Sequence, residues 1–280
     1  MADDIMTSGT ELSVIVPAVW SKNYYDSLLA NLPFNAVVSR DYEGEIQNMG
    51  DTVKISTFPE FDEAEVVAED ERANASALTV TQQSLVINNR VVKDFIVTNK
   101  ALMQSLPTMD KLKDLAIYAI QKKIQALIIA ASLPSTSAPD HTIAYDSSTT
   151  LALADMLEVK ELLDAQDVPG ANRHFVVGAA QLNDIFNITG FTSSDFITAQ
   201  SPLQSGELPP ALLGFQPHFT SIVGNTSYWF HSSYMTVAAQ KGITVEEFNL
   251  GVDGKRATRV NVDTLFGLKL LDNTRLATLS

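Results

Sequence analysis

The longest apolar register in the chain is helical. Between Pro107 and Pro134, residues Leu112, Leu115, Ala116, Ala119, Ile120, Ile124, Leu127 and Ala131 recur at steps of three and four, so they share one face of a helix over Met109–Ser132. Thr108 suits the N-cap and Asp110 the first turn, where a carboxylate complements the positive helix end. Asp110, Asp114, Gln121 and Gln125 fall mostly opposite, as a solvated or intersubunit face. From Ala126 to Ala131 the segment is apolar all round, which predicts an end covered on every side. At ~1.5 Å per residue the helix spans roughly 35 Å. That is as long as a small domain is wide, so other elements must lie along this spine. Lys111, Lys113, Asp114, Lys122 and Lys123 interrupt the apolar run too often for a membrane span.

Upstream, residues 1–16 read as a draped arm, and a helix starts with Pro17 at its first position. Trp20, Tyr24, Leu28 and Leu32 repeat every four residues until Pro33 ends it. So bulky a stripe is either core or a surface that docks on another subunit. From Gly50 the period changes to two. Val53, Ile55 and Phe58 alternate with Thr52, Lys54 and Ser56, a half-buried strand ended by Pro59. An acidic run follows, Glu60, Asp62, Glu63, Glu65, Glu69, Asp70 and Glu71, with Arg72 its lone base. The chain returns as strand over Leu78–Ile87 and again over Val91–Thr98. Two strands joined by a long charged connection make an extended hairpin, which is marginal in water alone and should lie on something else. The acidic run is either a solvated loop or a tip that meets basic residues of a neighbouring subunit; its spacing matches no calcium loop.

Beyond the spine, residues 134–150 are rich in Ser, Thr and Pro and read as a boundary. An alternating pattern follows. Leu153, Met156, Leu157, Lys160 and Leu163 lie on one side of a helix stopped near Pro169-Gly170, Phe175–Val177 is a short buried strand, and Ala179–Phe186 a helix entered after Gly178. Residues 190–217 carry too much Gly and Pro for regular structure. Strands resume at Phe219–Val223, Tyr228–Phe230 and Met235–Ala239. The ending alternates again through Thr258, Val260 and Val262, then Leu268, Leu270 and a last strand to Leu279. These terminal strands are expected to return to the sheet beside the spine. The fold class is α+β.

Composition narrows the chemistry. The chain has 280 residues, 45% of them hydrophobic, enough for a substantial core. With no cysteine, disulfides and thiolate metal sites are excluded. The 33 acids against 19 bases give a formal net charge of -14, which opposes gripping a phosphate backbone without forbidding a protein that merely surrounds nucleic acid. Acidic residues occupy the place where a secretory signal needs bases, so synthesis in the cytoplasm is expected. No phosphate loop, dinucleotide fingerprint or GxSxG elbow is present; Gly251-Val252-Asp253-Gly254 lacks the third glycine. His141, His174, His218 and His231 are scattered and read as loop or satisfied surface residues rather than catalysts. Asp253 and Asp263 read as hairpin and edge residues with no acid-base role. No cofactor or metal site is expected.

The order of these pieces resembles the major capsid protein of tailed bacteriophages, the Hong Kong 97-type fold. The resemblance rests on Gly50-Asp51-Thr52-Val53-Lys54-Ile55 opening a hairpin into an acidic loop and on the spine helix with its Ile/Ala-rich end. It rests also on the closing Phe266-Gly267-Leu268-Lys269-Leu270-Leu271, followed by Arg275-Leu276-Ala277. It implies an N-terminal arm and helix over 1–50, an E-loop hairpin over 51–90, a P-domain over 91–145 and 255–280 with the spine at 109–132, and an A-domain over 146–254. The implied function is structural, not enzymatic: self-assembly through pentamers and hexamers into an icosahedral shell enclosing double-stranded DNA without sequence-specific binding. Implied partners are further copies of the chain, a portal protein, a decoration protein and a separate scaffolding protein, since the arm starts near Met1. The chain would be made and assembled in the host cytoplasm and reside in the virion capsid, with no membrane. Trp20, Tyr24, Glu60, Asp62, Glu63, Glu65, Glu69, Asp70, Glu71 and Arg72 are the candidate intersubunit contacts. The competing readings are an encapsulin-like compartment shell, a soluble two-domain acidic enzyme and a tail component.

Overall fold

The computed structural model describes residues 29–43, 52–59, 61, 63–73, 75, 77–98, 109–145, 150–188, 208, 210–250 and 257–280. In chain order the elements are α1 (Phe34–Val37), β1 (Thr52–Thr57), β2 (Thr81–Thr98), the spine α2 (Met109–Ala131), β3 (Thr142–Ile143), α3 (Leu153–Ala165) and β4 (Arg173–Val177). There follow α4 (Ala179–Asn187), β5 (Gln216–Phe219), β6 (Ser227–His231), β7 (Met235–Leu250), β8 (Ala257–Leu270) and β9 (Leu276–Leu279). They build two sheets. A long antiparallel sheet runs β1-β2-β8-β7, and a five-stranded mixed sheet runs β3-β9-β6-β4-β5.

The spine lies on one face of the long sheet, where Ala116 and Ile120 meet Val260 and Val262 with Val91, Phe95 and Ile124 beside them. The far end of the spine packs with Ile128 against Val176, Phe230, Tyr234 and Leu276, on one face of the five-stranded sheet. The opposite face of that sheet carries Phe175, Val177 and Trp229, covered by Met156, Val159 and Leu163 of α3 and Ile185 of α4. Phe175 stacks on Trp229 with centroids 4.4 Å apart, an offset aromatic contact that fixes the two central strands against each other. The base of the hairpin has its own small core of Val53, Ile55, Leu85 and Ile87.

Residues 30–43 strap these layers together. Tyr118 donates to the carbonyl of Ala30 at 3.1 Å, and Asn35 donates to that of Gln121 at 3.0 Å, which ties the strap to the spine. Asn31 donates to Phe219 O, and Thr220 donates back to Asn31 O at 2.7 Å, which ties it to β5. Ser39 bridges to Thr236 at the start of β7. Phe34, fully buried, stacks on Phe230 and meets Tyr228 edge-on.

Several expectations need correction. Residues 29–32 are not helical; Pro33 caps the short α1 instead of ending a helix, as its fixed φ and missing N–H suit a helix start. The segments expected as Leu78–Ile87 and Val91–Thr98 are one strand, β2, with a register irregularity between Ile87 and Asn89 where polar Asn88-Asn89 suggested a break. The strand expected at Phe219–Val223 is Gln216–Phe219: β5 is an edge strand, where Pro217 is tolerated. The strand expected to stop at Ala239 runs to Leu250, because irregularities between Ala239 and Thr244 absorb the break in alternation. The last strand joins β3 and β6 in the five-stranded sheet rather than the long sheet that holds β8, and all four of its residues are buried because that sheet is covered on both faces. On the spine, Gln125 is fully buried, while Ala126 and Ala130 are exposed, so the apolar end is not covered on every side within one chain.

Candidate functional site

Of the candidate contact residues, Trp20, Tyr24, Glu60 and Asp62 lie outside the described residues. Glu63, Glu65, Glu69, Asp70, Glu71 and Arg72 are all exposed, on an irregular segment between Thr57 and Thr81. Those two residues face each other as the last pair of the β1–β2 ladder, so the segment leaves the distal end of the hairpin. Its apolar members are no better covered: Phe58 is 70% exposed, Phe61 69% and Val66 102%. Among the described residues of 61–73, all but Val67 are exposed, acidic and apolar alike.

A second surface lies further along β2. Arg90, Val91, Val92 and Lys93 of the strand and Ala119, Ile120 and Lys123 of the spine line a groove of about 370 Å³. Neighbouring it is a charged lattice on the long sheet. Asp263 in the middle of β8 accepts from Lys241 at 2.6 Å, from Thr244 at 2.8 Å and from Arg90 at 3.3 Å. The Lys241 bond, then those of Thr244 and Arg90, hold the Asp263 carboxyl below the usual carboxylate range. Asp263 is 6% exposed, so it is not the edge residue that its sequence position suggested: it pins the irregular stretch of β7 to β8 and β2. Its signal in sequence is one acid within the strand run Val262-Asp263-Thr264. Arg259 similarly pairs with Asp94, and Lys113 of the spine with Glu247 of β7, whose hydrogen bond raises the lysine pKa.

The histidines are not surface residues either. His141 is fully buried, its Nδ1 within 3.0 Å of Leu276 O, and burial lowers its pKa. His174 and His218, on neighbouring strands β4 and β5, approach with Nδ1 and Nε2 3.1 Å apart. Burial and then the adjacent His218 push His174 down to about 4. Both are half-buried, and His174 lies beside Phe230. Among the described residues no group of three His, Asp, Glu or Cys side chains converges as a metal site, and no helix is long and apolar enough to cross a membrane. The polar groups Asp263, Lys241, Thr244 and Arg90 brace the long sheet.

A family model described as phage capsid protein matches residues 51–273. Among solved structures, one from Mycobacterium phage Che8 superposes with a TM-score of 0.76 at 20% identity, covering 95% of this chain and 97% of that one. The capsid of Cyanophage P-SCSP1u gives 0.77 at 11% identity, covering 97% and 94%. The capsid asymmetric unit of Cyanophage Pam1 gives 0.72 at 13%, covering 100% and 99%. No curated protein matches by sequence.

Proposed function

We infer the role of this chain from one premise: it belongs to the phage capsid protein family, and it is a structural major capsid protein, a building block of the virion shell. The observation that carries the reading is the family match over residues 51–273, which takes in the hairpin, the spine and every strand except β9. On that basis the chain self-assembles through pentamers and hexamers into an icosahedral shell around double-stranded DNA. The parts then take Hong Kong 97-type roles. Residues 1–50 are the N-terminal arm and helix, 51–90 the E-loop hairpin, 91–145 and 255–280 the P-domain, and 146–254 the A-domain. Trp20 and Tyr24 on the arm and the acidic run from Glu60 to Arg72 are the intersubunit contacts. The exposed acidic and apolar surface at 61–73 supports this reading, since heterologous contacts between copies need a surface that its own chain leaves uncovered. A separate scaffolding protein, a portal and a decoration protein are the other partners, and assembly takes place in the host cytoplasm.

The test is light scattering with negative-stain microscopy on the chain expressed alone and then with its upstream neighbour gene. Closed particles or capsomer rings are expected, and dependence on co-expression identifies a scaffold. A monodisperse species near 30.5 kDa in both conditions overturns the assembly reading.

A further inference from the structure

We propose that His174 and His218 bind one divalent transition-metal ion of the class that favours imidazole, zinc above all, and that the bound ion staples β5 to β4. The two strands pair in parallel, with His174 opposite Gln216 and Val176 opposite His218, so the histidines are diagonal neighbours on one face of the sheet. His174 Nδ1 and His218 Nε2 lie 3.1 Å apart. Two imidazole nitrogens held by zinc at ~2.05 Å stand roughly 3.3 Å apart in a tetrahedral arrangement and about 2.9 Å apart in a right-angled one. The observed separation falls between these values. The strands therefore already stand at a chelating spacing, and only the rings turn to admit an ion.

A ligating imidazole must be neutral, and both of these are held so. Burial, then the neighbouring His218 and His231, lowers His174 to about 4, and burial lowers His218 as well. Without the ion, one ring N–H donates to the other ring's nitrogen. When the ion binds, that proton passes to the outer nitrogen of its own ring; each ring stays neutral and gives one lone pair, with no net proton released. With no cysteine in the chain, paired imidazoles are its strongest donors for such an ion. No third His, Cys, Asp or Glu joins them among the described residues, so water fills the remaining positions and the ion exchanges. The consequence is local. β5 is a short edge strand that carries Pro217 and is held to the sheet by parallel pairing, and it anchors the strap through Asn31 and Thr220. A bridge from His218 through the ion to His174 strengthens the sheet at the margin where backbone pairing is weakest. Both ligands come from one chain, so the site stands apart from assembly.

The test titrates the untagged, unassembled full chain, first stripped with a chelator, with zinc chloride at about pH 7.5, with magnesium chloride as the oxygen-seeking control. Calorimetry is expected to show one zinc per chain, saturating below about 0.1 mM, no response to magnesium, and binding at least ~10-fold weaker in His174→Gln and in His218→Gln. Saturating zinc should raise the thermal midpoint of the wild type by about 2–4 °C. Carbethoxylation of the wild type, followed by mass spectrometry, should slow at His174 and His218 on zinc addition and stay unchanged at His231, which decides the matter even if a variant does not fold. Absence of saturable binding below ~1 mM overturns the site. Zinc binding that survives both substitutions, or that leaves both histidines as reactive as before, places the ion on acidic side chains and overturns the pair as its ligands. Binding at the pair without a rise in the midpoint overturns the staple.

Discussion

At Gly267, β8 passes the irregularity in β2, and an added Cβ would lie 2.5 Å from the carbonyl oxygen of Val86 and 3.0 Å from its carbon. Both atoms are backbone in a paired ladder, so neither strand can retreat cheaply. Gly267→Ala is expected to cost about 2–3 kcal/mol, read by chemical denaturation of the unassembled chain, and an unchanged midpoint would show that the strands separate freely there. Glycine within a strand pattern often marks close backbone approach, but Gly267 entered the sequence reading only as part of the closing Phe266–Leu271 run. The histidine pair was not legible, because 44 positions separate its members and only the parallel pairing of β4 with β5 brings them together. Its consequence is a pH dependence of definite sign. In the fold His174 has its pKa lowered from 6.5 to about 4, with His218 and His231 the titratable neighbours, and His218 and His141 are lowered too. The unfolded chain therefore binds more protons between these limits, and stability is complete above about pH 6.5 and declines as pH falls toward 4. With solvent screening, His174 contributes on the order of 1–2 kcal/mol over that window. Denaturation midpoints of His174→Gln should fall less steeply from pH 6.5 to 4 than those of the wild type; parallel curves would remove His174 as a source of acid sensitivity.

Among elements, the strap at 30–43 has an importance out of proportion to its one helical turn. It bonds to the spine through Asn35 and Tyr118, to β5 through Asn31 and Thr220, and to β7 through Ser39, with Phe34 buried among them. Phe34→Ala removes a fully buried ring from the joint of all three layers and should lower stability by about 3–4 kcal/mol. It should also open residues 30–43 to proteolysis well before the long sheet unfolds. Simultaneous loss of strap and sheet would mean that the strap follows the fold rather than joining it. Pattern alone could not find this element. A strap is held by carbonyls and scattered polar side chains, which carry no period, whereas the spine announced itself by eight apolar positions on one face. The same distinction explains β7 and β9. Alternation signals a strand with one wet face; β7 loses it at its irregular stretch, and β9, dry on both faces, never had it.

For the molecule as a whole, the order of hairpin, spine, helix-and-strand unit and closing strand was legible along the chain. The partition into two sheets was not, because it is decided by contacts between distant strands. The acidic segment was recognisable along the chain as a candidate contact. A free subunit with this surface leaves Phe58, Phe61 and Val66 in water, and tiling into a shell removes that exposure if the segment is a seat between copies. Arg72 provides a built-in reporter, since it is the one basic residue within the exposed acidic run. Trypsin should cut after Arg72 readily in the unassembled chain. In particles the same cut, followed by mass spectrometry, should be at least ~10-fold slower, because a backbone held between subunits must first open to enter a protease. Equal rates in both forms would place the segment on the outer surface of the shell, where its acids keep particles apart instead of holding subunits together.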